Sequence, residues 1–190
     1  MINISLPSGL YSFRLDDLQE LRFNNYTLTN VFEKITVPQR EACVELWTRN
    51  RVIHSKQEAL ARTDQVCYFI TETQTGKLIG VNTLYKSANH STGNGVWLYR
   101  MFIDPHHRNT RIMIIGTAMM LCFSKMYLAD RGLKGVVNIN ENSKLRRAGT
   151  ARLFKRLGYR KVGEEDGKEV IFFEFDNINF VTNTLIPDIQ

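Results

Sequence analysis

The residues best placed to do chemistry lie in the stretch FIDPHHRNTRIMIIGTAMM, from Phe102 to Met120. An apolar segment stops at Pro105, a polar loop carries Arg108 and Arg111, and a helix with no polar face follows. A strand, a short loop and a helix N-terminus in that order make a cradle for an anion, because the first-turn N–H groups are unpaired and the positive end of the helix dipole faces the loop. On this reading Arg108, Asn109, Thr110 and Arg111 surround phosphate oxygens together with the backbone of Ile112 and Met113, and the two guanidiniums add charge-assisted pairing. Phosphate loops commonly carry glycine, which reaches left-handed backbone conformations freely. Any other residue held there costs about 1–2 kcal/mol, and Asn109 is the best suited of those present. His106 and His107 read as solvated turn residues or as neighbours of the phosphate.

A second group sits further along. In "KGVVNINEN" (134–142) the period-two alternation of a strand puts Asn138 and Asn140 on one face and Val137 and Ile139 on the other. Polar side chains inside a strand suggest a wet cleft and a substrate-facing role. Glu141, at the strand end, is a candidate base.

Charge is concentrated near the same place. The 190 residues carry a formal net charge of +6. Eight lysines and arginines, Lys144, Arg146, Arg147, Arg152, Lys155, Arg156, Arg160 and Lys161, fall within 144–161, which holds no acid. On a helical wheel Leu153, Phe154 and Leu157 take one half, and Lys144, Arg147, Arg152 and Lys155 the other. Such a face is solvated, or meets a phosphate, an acidic carrier protein or RNA. Aromatic residues of the kind that stack bases are sparse here, so nucleic acid is not the expected partner.

These groups need elements to hold them. The spacing predicts a strand over 30–36, helices in "VPQREACVELWTRN" and in "HSKQEALAR", and a hairpin of 66–73 with 78–86 turned at Gly76. A third strand over 96–104 leads to the long helix, which runs to about Asp130 with Gly132 as its stop. A strand over 134–142, a helix capped by Asn142 or Ser143 and ending at Gly158, and two strands joined at Asp166-Gly167 complete the pattern. Residues 1–29 read as an extension with a short helix around "LDDLQELRF", 30–176 as the domain and 177–190 as a tail. The fold class is α+β with a mixed sheet flanked by helices.

The longest apolar run, 112–123, has 12 residues. This is short of the ~18 that a bilayer span needs, so a core helix and no membrane are expected. The three cysteines, Cys43, Cys67 and Cys122, are scattered among apolar neighbours, as in a reducing compartment, and no Cys/His spacing suggests a metal. With no secretory signal pattern at the N-terminus, the expected location is the cytoplasm.

The order of elements, with "RMFIDPHHRNTRIM" and "NENSKLRRAGTARLFKRLGYRKVGEE", resembles the GNAT superfamily of acyl-CoA N-acyltransferases over residues 30–176. The resemblance implies a splayed central strand pair. It also implies acetyl-CoA or another acyl-CoA as donor, with the pyrophosphate on the loop and helix start and the pantetheine arm along the strand that ends at Ile103. The cofactor contacts it assigns are Met101, Phe102, Ile103, Arg108, Asn109, Thr110, Arg111, Ile112, Met113, Asn142 and Phe154. The family loop reads approximately R-G-x-G-x-G/A, and Arg108-Asn109-Thr110-Arg111-Ile112-Met113 departs from it at each glycine. Where many members place a tyrosine to protonate the leaving thiolate, this chain has Phe154. Where many carry an acid in the fourth strand, it has Tyr99 and Arg100. The catalytic candidates that remain are Tyr99, as donor to the thiolate, and Glu141, as base. Two functions stay open: N-acyl transfer to an amine acceptor of unidentified type, with the acyl group drawn from acyl-CoA or an acidic carrier protein, and a binding or structural module that has lost the chemistry. The terminal extensions offer material for a homodimer contact.

Overall fold

The computed structural model describes residues 2–6, 9–14, 16–87, 95–108, 111–140 and 148–176. In chain order the described elements are β1 (Ile2–Leu6), β2 (Gly9–Phe13), β3 (Glu20–Phe23), β4 (Tyr26–Asn30), α1 (Val37–Arg49), α2 (Lys56–Arg62), β5 (Val66–Glu72), β6 (Leu78–Ser87), β7 (Val96–Ile103), α3 (Ile112–Leu128), β8 (Gly135–Asn140), α4 (Ala148–Arg156), β9 (Arg160–Glu165) and β10 (Lys168–Glu174). Strands β1 and β2 pair as a separate hairpin, and the other eight form one sheet in the order β3-β4-β5-β6-β7-β8-β10-β9. β3 through β6 run as antiparallel neighbours, as do β8, β10 and β9. β7 and β8 are neighbours in the sheet although α3 lies between them in the chain. The class is therefore α+β with a mixed sheet, as the sequence predicts.

The chain divides into two compact units, one of Gln19–Tyr85 with Tyr99–Met120, the other of Met1–Leu18, Lys86–Leu98 and Leu121–Gln190. In the first unit the start of the sheet differs from expectation. The residues around "LDDLQELRF" form one 3-10 turn, Asp16–Leu18, and then β3. The strand expected over 30–36 lies earlier, at β4, where Tyr26, Leu28 and Asn30 are buried and Thr27 and Thr29 half-buried. The extended run ends just after β4 because Glu33 has φ 59, a left-handed conformation that breaks a ladder. α1 opens with Pro38 in its first turn and with Thr36 donating its backbone N–H to Gln39 Oε1 at 2.8 Å. It buries Cys43, Val44, Leu46 and Trp47 against Val66, Phe69, Leu78 and Val81, and Phe102 of β7 packs against the same cluster. α2 is capped by Ser55, whose hydroxyl accepts from the Glu58 N–H at 3.3 Å.

In the second unit Val96, Val137, Val170 and Phe172 make one apolar face, with Ile139 and Val162 beside them. On the other face Phe154 of α4 meets Tyr159, Tyr159 meets Phe173 and Phe173 meets Phe175, with centroids 5.6, 6.0 and 6.4 Å apart. α4 ends in a Schellman motif: the Tyr159 N–H reaches Phe154 O, the Gly158 N–H reaches Lys155 O, and Gly158 has φ 88. Asp166 and Gly167, at φ 50 and 70, make the tight hairpin turn that their sequence predicts.

With its 3-10 extension α3 spans Ile112–Arg131, 20 residues, long and apolar enough to cross a membrane by length and composition. Of that window 67% is buried inside the protein, the pattern of a core helix. The three cysteines are free and buried. Burial pushes all three thiols up, Cys43 to about 12 against the opposing pull of Arg40, and Cys122 to about 12 against that of Lys125.

Gly135 opens β8 beside the backbone of β10, and a Cβ there would collide with the Phe173 carbonyl oxygen and the Phe172 ring. Because the obstacle includes backbone, Gly135→Ala should destabilise the protein by about 2–3 kcal/mol through strain in the β8–β10 ladder. Urea denaturation measures this as a lower midpoint with an unchanged slope.

Candidate functional site

Within the first unit the end of β7, the loop after it and the start of α3 form one construction, pinned at several points. The Asp104 N–H donates to Ile79 O at 2.7 Å, and the carboxylate accepts the His106 N–H at 3.1 Å. Asp104 is buried, and Arg49 of α1 places Nη2 3.6 Å from its carboxylate while donating to Leu78 O at 3.1 Å. Burial alone would raise the Asp104 pKa. The His106 amide, the Asn50 side chain and the charges of His106 and Arg49 outweigh it, and the net shift is downward.

Pro105 then opens a 3-10 turn, Pro105–His107. His107 is not a solvated turn residue. Its Nδ1 lies 3.1 Å from the Tyr26 hydroxyl, its ring meets Tyr26 edge-on at 5.8 Å, and its Nε2 is 4.0 Å from Glu72. No sequence pattern relates 26, 72 and 107, since only the β4–β5 pairing and the turn bring them together. Arg108 folds back so that Nε donates to Ile103 O at 2.9 Å, with its guanidinium 5.7 Å from the Phe102 ring. This uses one of its nitrogens and leaves the two Nη groups at the surface.

Asn109 and Thr110 lie outside the described residues. Arg111 is exposed and has φ 61, so the left-handed residue of the described loop is this arginine, at a position where the family pattern has glycine. Its carbonyl accepts the N–H groups of Ile114 and Ile115 at 3.0 and 3.3 Å. The amides of Ile112 and Met113 therefore stand ahead of the helix's own ladder, where an anion finds donors and the dipole's positive end.

The sheet fixes where that N-terminus sits. Tyr99, 1% exposed, shares a 3.2 Å hydrogen bond with Thr117 Oγ1, and Asn82 donates to Gly116 O at 3.0 Å. Burial pushes the Tyr99 phenol well up, only partly offset by the Thr117 bond, so it stays protonated. Met101 reaches beneath Gly116, where a Cβ would come 2.7 Å from its methyl carbon. Ile103 and Ile112 are buried, and Phe102 and Met113 half-buried.

The second candidate group belongs to the other unit. Asn138 is half-buried, while Asn140 is fully buried and donates Nδ2 to Glu169 Oε2 at 2.8 Å. Glu141 and Asn142 lie outside the described residues. Phe154 is 6% exposed, a packed core ring. Arg152, Lys155 and Arg156 project from α4 into solvent, whereas Arg160 and Lys161 of β9 lie near Glu174 and Glu164 at 3.9 and 2.9 Å. Among the described residues no group of three or more His, Cys, Asp or Glu is placed to hold a metal ion.

No protein-family model matches the chain, and no curated protein matches it by sequence. Solved structures do match by shape. A protein described as a GNAT-family acetyltransferase from Bordetella pertussis superposes with a TM-score of 0.60 at 16% identity, over 82% of this chain and 98% of that one. Ribosomal-protein-S5-alanine acetyltransferase from Vibrio fischeri gives 0.57 at 13% identity, over 86% and 99%. The chain has the GNAT fold. A third structure of this fold, AtaTR bound with acetyl-CoA, gives 0.52 at 14% identity, over 80% and 95%. These likenesses fix the architecture.

Two outcomes test this geometry. Because the folded pKa of Asp104 lies below its unfolded value of about 3.9, its stabilisation is present above that pH and is lost as pH falls through the folded pKa. Asp104→Asn should cost about 1–2 kcal/mol at pH 7, and the gap between wild type and variant should close on acidification towards pH 2 in denaturant titrations. Arg111→Gly should relieve the left-handed strain and raise stability by up to about 1 kcal/mol, whereas Arg111→Val should lower it. Melting temperatures read both signs.

Proposed function

We propose that the chain is an acyl-CoA-dependent N-acyltransferase that moves an acetyl or longer acyl group to an amine. The observation that carries this reading is the start of α3, where the Ile112 and Met113 amides, the Arg108 Nη groups and the Arg111 side chain offer donors to a diphosphate in a protein of GNAT fold. These residues fit the charged end of coenzyme A. The thioester of an acyl-CoA supplies an activated carbonyl. What the chain must add is orientation, a route for the amine's proton and a proton for the departing sulfur. Tyr99 is held neutral by burial and can serve the last role, provided that its bond to Thr117 can be exchanged. Glu141 remains the proposed base, with Asn138 and Asn140 facing the acceptor. Acetyl-CoA bound to a neighbour of the same fold supports acetyl as the group carried. The exposed cations Arg152, Lys155 and Arg156 suit an acidic carrier protein as an alternative source. The free buried thiols suit a cytoplasmic setting.

One observation favours a second reading, a binding module without transfer activity. The Tyr99 hydroxyl already has a partner and is 1% exposed, and Phe154 has no proton to give.

Thermal unfolding with acetyl-CoA, octanoyl-CoA and free coenzyme A tests the donor site. A ligand at about 100 times its dissociation constant should add about 2.7 kcal/mol, and Arg108→Ala should shrink the shift. No shift with any of the three at millimolar concentration would end the donor assignment. A shift without acyl transfer to any member of an amine panel would select the module.

A further inference from the structure

Tyr26 of β4 and Glu72 of β5 stand directly opposite each other in the ladder, so their side chains share one face of the sheet. The ring of His107 lies across this pair. Its Nδ1 is 3.1 Å from the Tyr26 hydroxyl and its Nε2 is 4.0 Å from Glu72 Oε1. Glu72 is held at its other oxygen by Thr75, whose hydroxyl donates to Oε2 at 2.8 Å. All four residues belong to the first unit. Tyr26 is buried, and the His107 and Glu72 side chains are 18% and 33% exposed, so water and salt screen the contact only in part. The His107 N–H donates to Asp104 O at 2.9 Å and closes the turn. Arg108 is the next residue, so holding the His107 ring on β4 and β5 also fixes where the Arg108 side chain starts.

The clasp accepts the imidazole in either charge state. With a neutral ring the Tyr26 hydroxyl donates to Nδ1 and the Nε2 proton points to Glu72. With a protonated ring Nδ1–H donates to the hydroxyl oxygen, and the Glu72 contact becomes an ion pair. Histidine is the side chain whose charge changes between pH 5 and 8, so the two states share their contacts and differ by one positive charge. The titratable and charged groups around that charge are Tyr26 and Glu72 on the strands, with Asp104, His106 and Arg108 on its own segment. Asp104 turns away to Arg49, and Arg108 folds back onto Ile103 O.

We infer that His107 is a positioning residue that couples proton uptake to anion binding at the start of α3. Tyr26 and Glu72 hold the turn in place, and the protonated ring adds positive charge beside Arg108. The inference rests on the anion cradle of the proposed function. Linkage makes the coupling reciprocal, so a bound anion draws a proton onto the protein.

Isothermal titration calorimetry of the full chain with free coenzyme A, at pH 6 and at pH 8, compares wild type with His107→Gln. Glutamine keeps a polar partner for Tyr26 and cannot take up the charge. The ligand's own phosphate titration is common to both proteins and cancels in the ratio of their affinities. That ratio should favour wild type about threefold more at pH 6 than at pH 8. In buffers of different ionisation heat, wild type should take up more protons on binding than His107→Gln. Tyr26→Phe should weaken binding by about the same factor at both pH values, and an affinity unchanged by it would overturn the positioning role. A ratio equal at the two pH values, or equal proton uptake, would overturn the coupling and leave the donor assignment standing. Absence of coenzyme A binding by wild type at either pH would remove both. Should His107→Gln fail to fold, the His107 ring signals of wild type, followed by NMR with and without coenzyme A, read the same coupling. Bound ligand should move the protonation midpoint to higher pH, and an unmoved midpoint would overturn the inference.

Discussion

The arrangement depends on how the sheet grips one turn of α3. Asn82 of β6 bonds the Gly116 carbonyl and Tyr99 of β7 bonds Thr117, two directional contacts made to adjacent residues of a buried helix. Apolar side chains alone would let a helix that is greasy on all sides rotate or slide along its axis with little change in energy. Two hydrogen bonds made at adjacent residues fix both motions. They also set the position of the first turn, one helical repeat upstream. The glycine at 116 serves the same end by letting the helix come down onto Met101. Among the described residues Asn82 Oδ1 is buried without a hydrogen-bond partner.

The loop that feeds α3 is fastened just as firmly. Asp104 is tied to the β6 backbone and to Arg49, His107 to Tyr26, and Arg108 to the end of β7. These side-chain anchors hold the segment from Asp104 to Arg108 to the sheet and to α1. The left-handed conformation at Arg111 is followed directly by the first turn of α3, whose Ile114 and Ile115 N–H groups bond the Arg111 carbonyl. A side chain at that position then brings a positive charge to the mouth of the helix, where the dipole already favours an anion.

Much of this was legible in the sequence. The elements from α1 onward were readable because each boundary has a local physical cause: Ser55 with Glu58, the turn at Gly76, Pro105 after β7, Gly158 after α4, and Asp166-Gly167. The start of the sheet was not. β4 buries a polar Asn30 at the position where an apolar residue would have completed its alternation, and the left-handed Glu33 gives no sign in its residue type. The polar strand residues Asn138 and Asn140 were visible as an anomaly. The partner of Asn140, Glu169, was not, because pairing across β8 and β10 is a long-range fact. Asn109, the type that tolerates a left-handed conformation best, lies outside the described residues, and the left-handed backbone at Arg111 gives no sign in its residue type.

The buried cysteines carry a practical consequence. A thiol must ionise and meet its reagent to react, and here both steps are blocked while the chain is folded. Disulfide-exchange colorimetry can therefore count any sulfhydryl product liberated in solution against almost no background from the protein. The same reagent, once the chain opens, would register three equivalents per molecule and so time its denaturation.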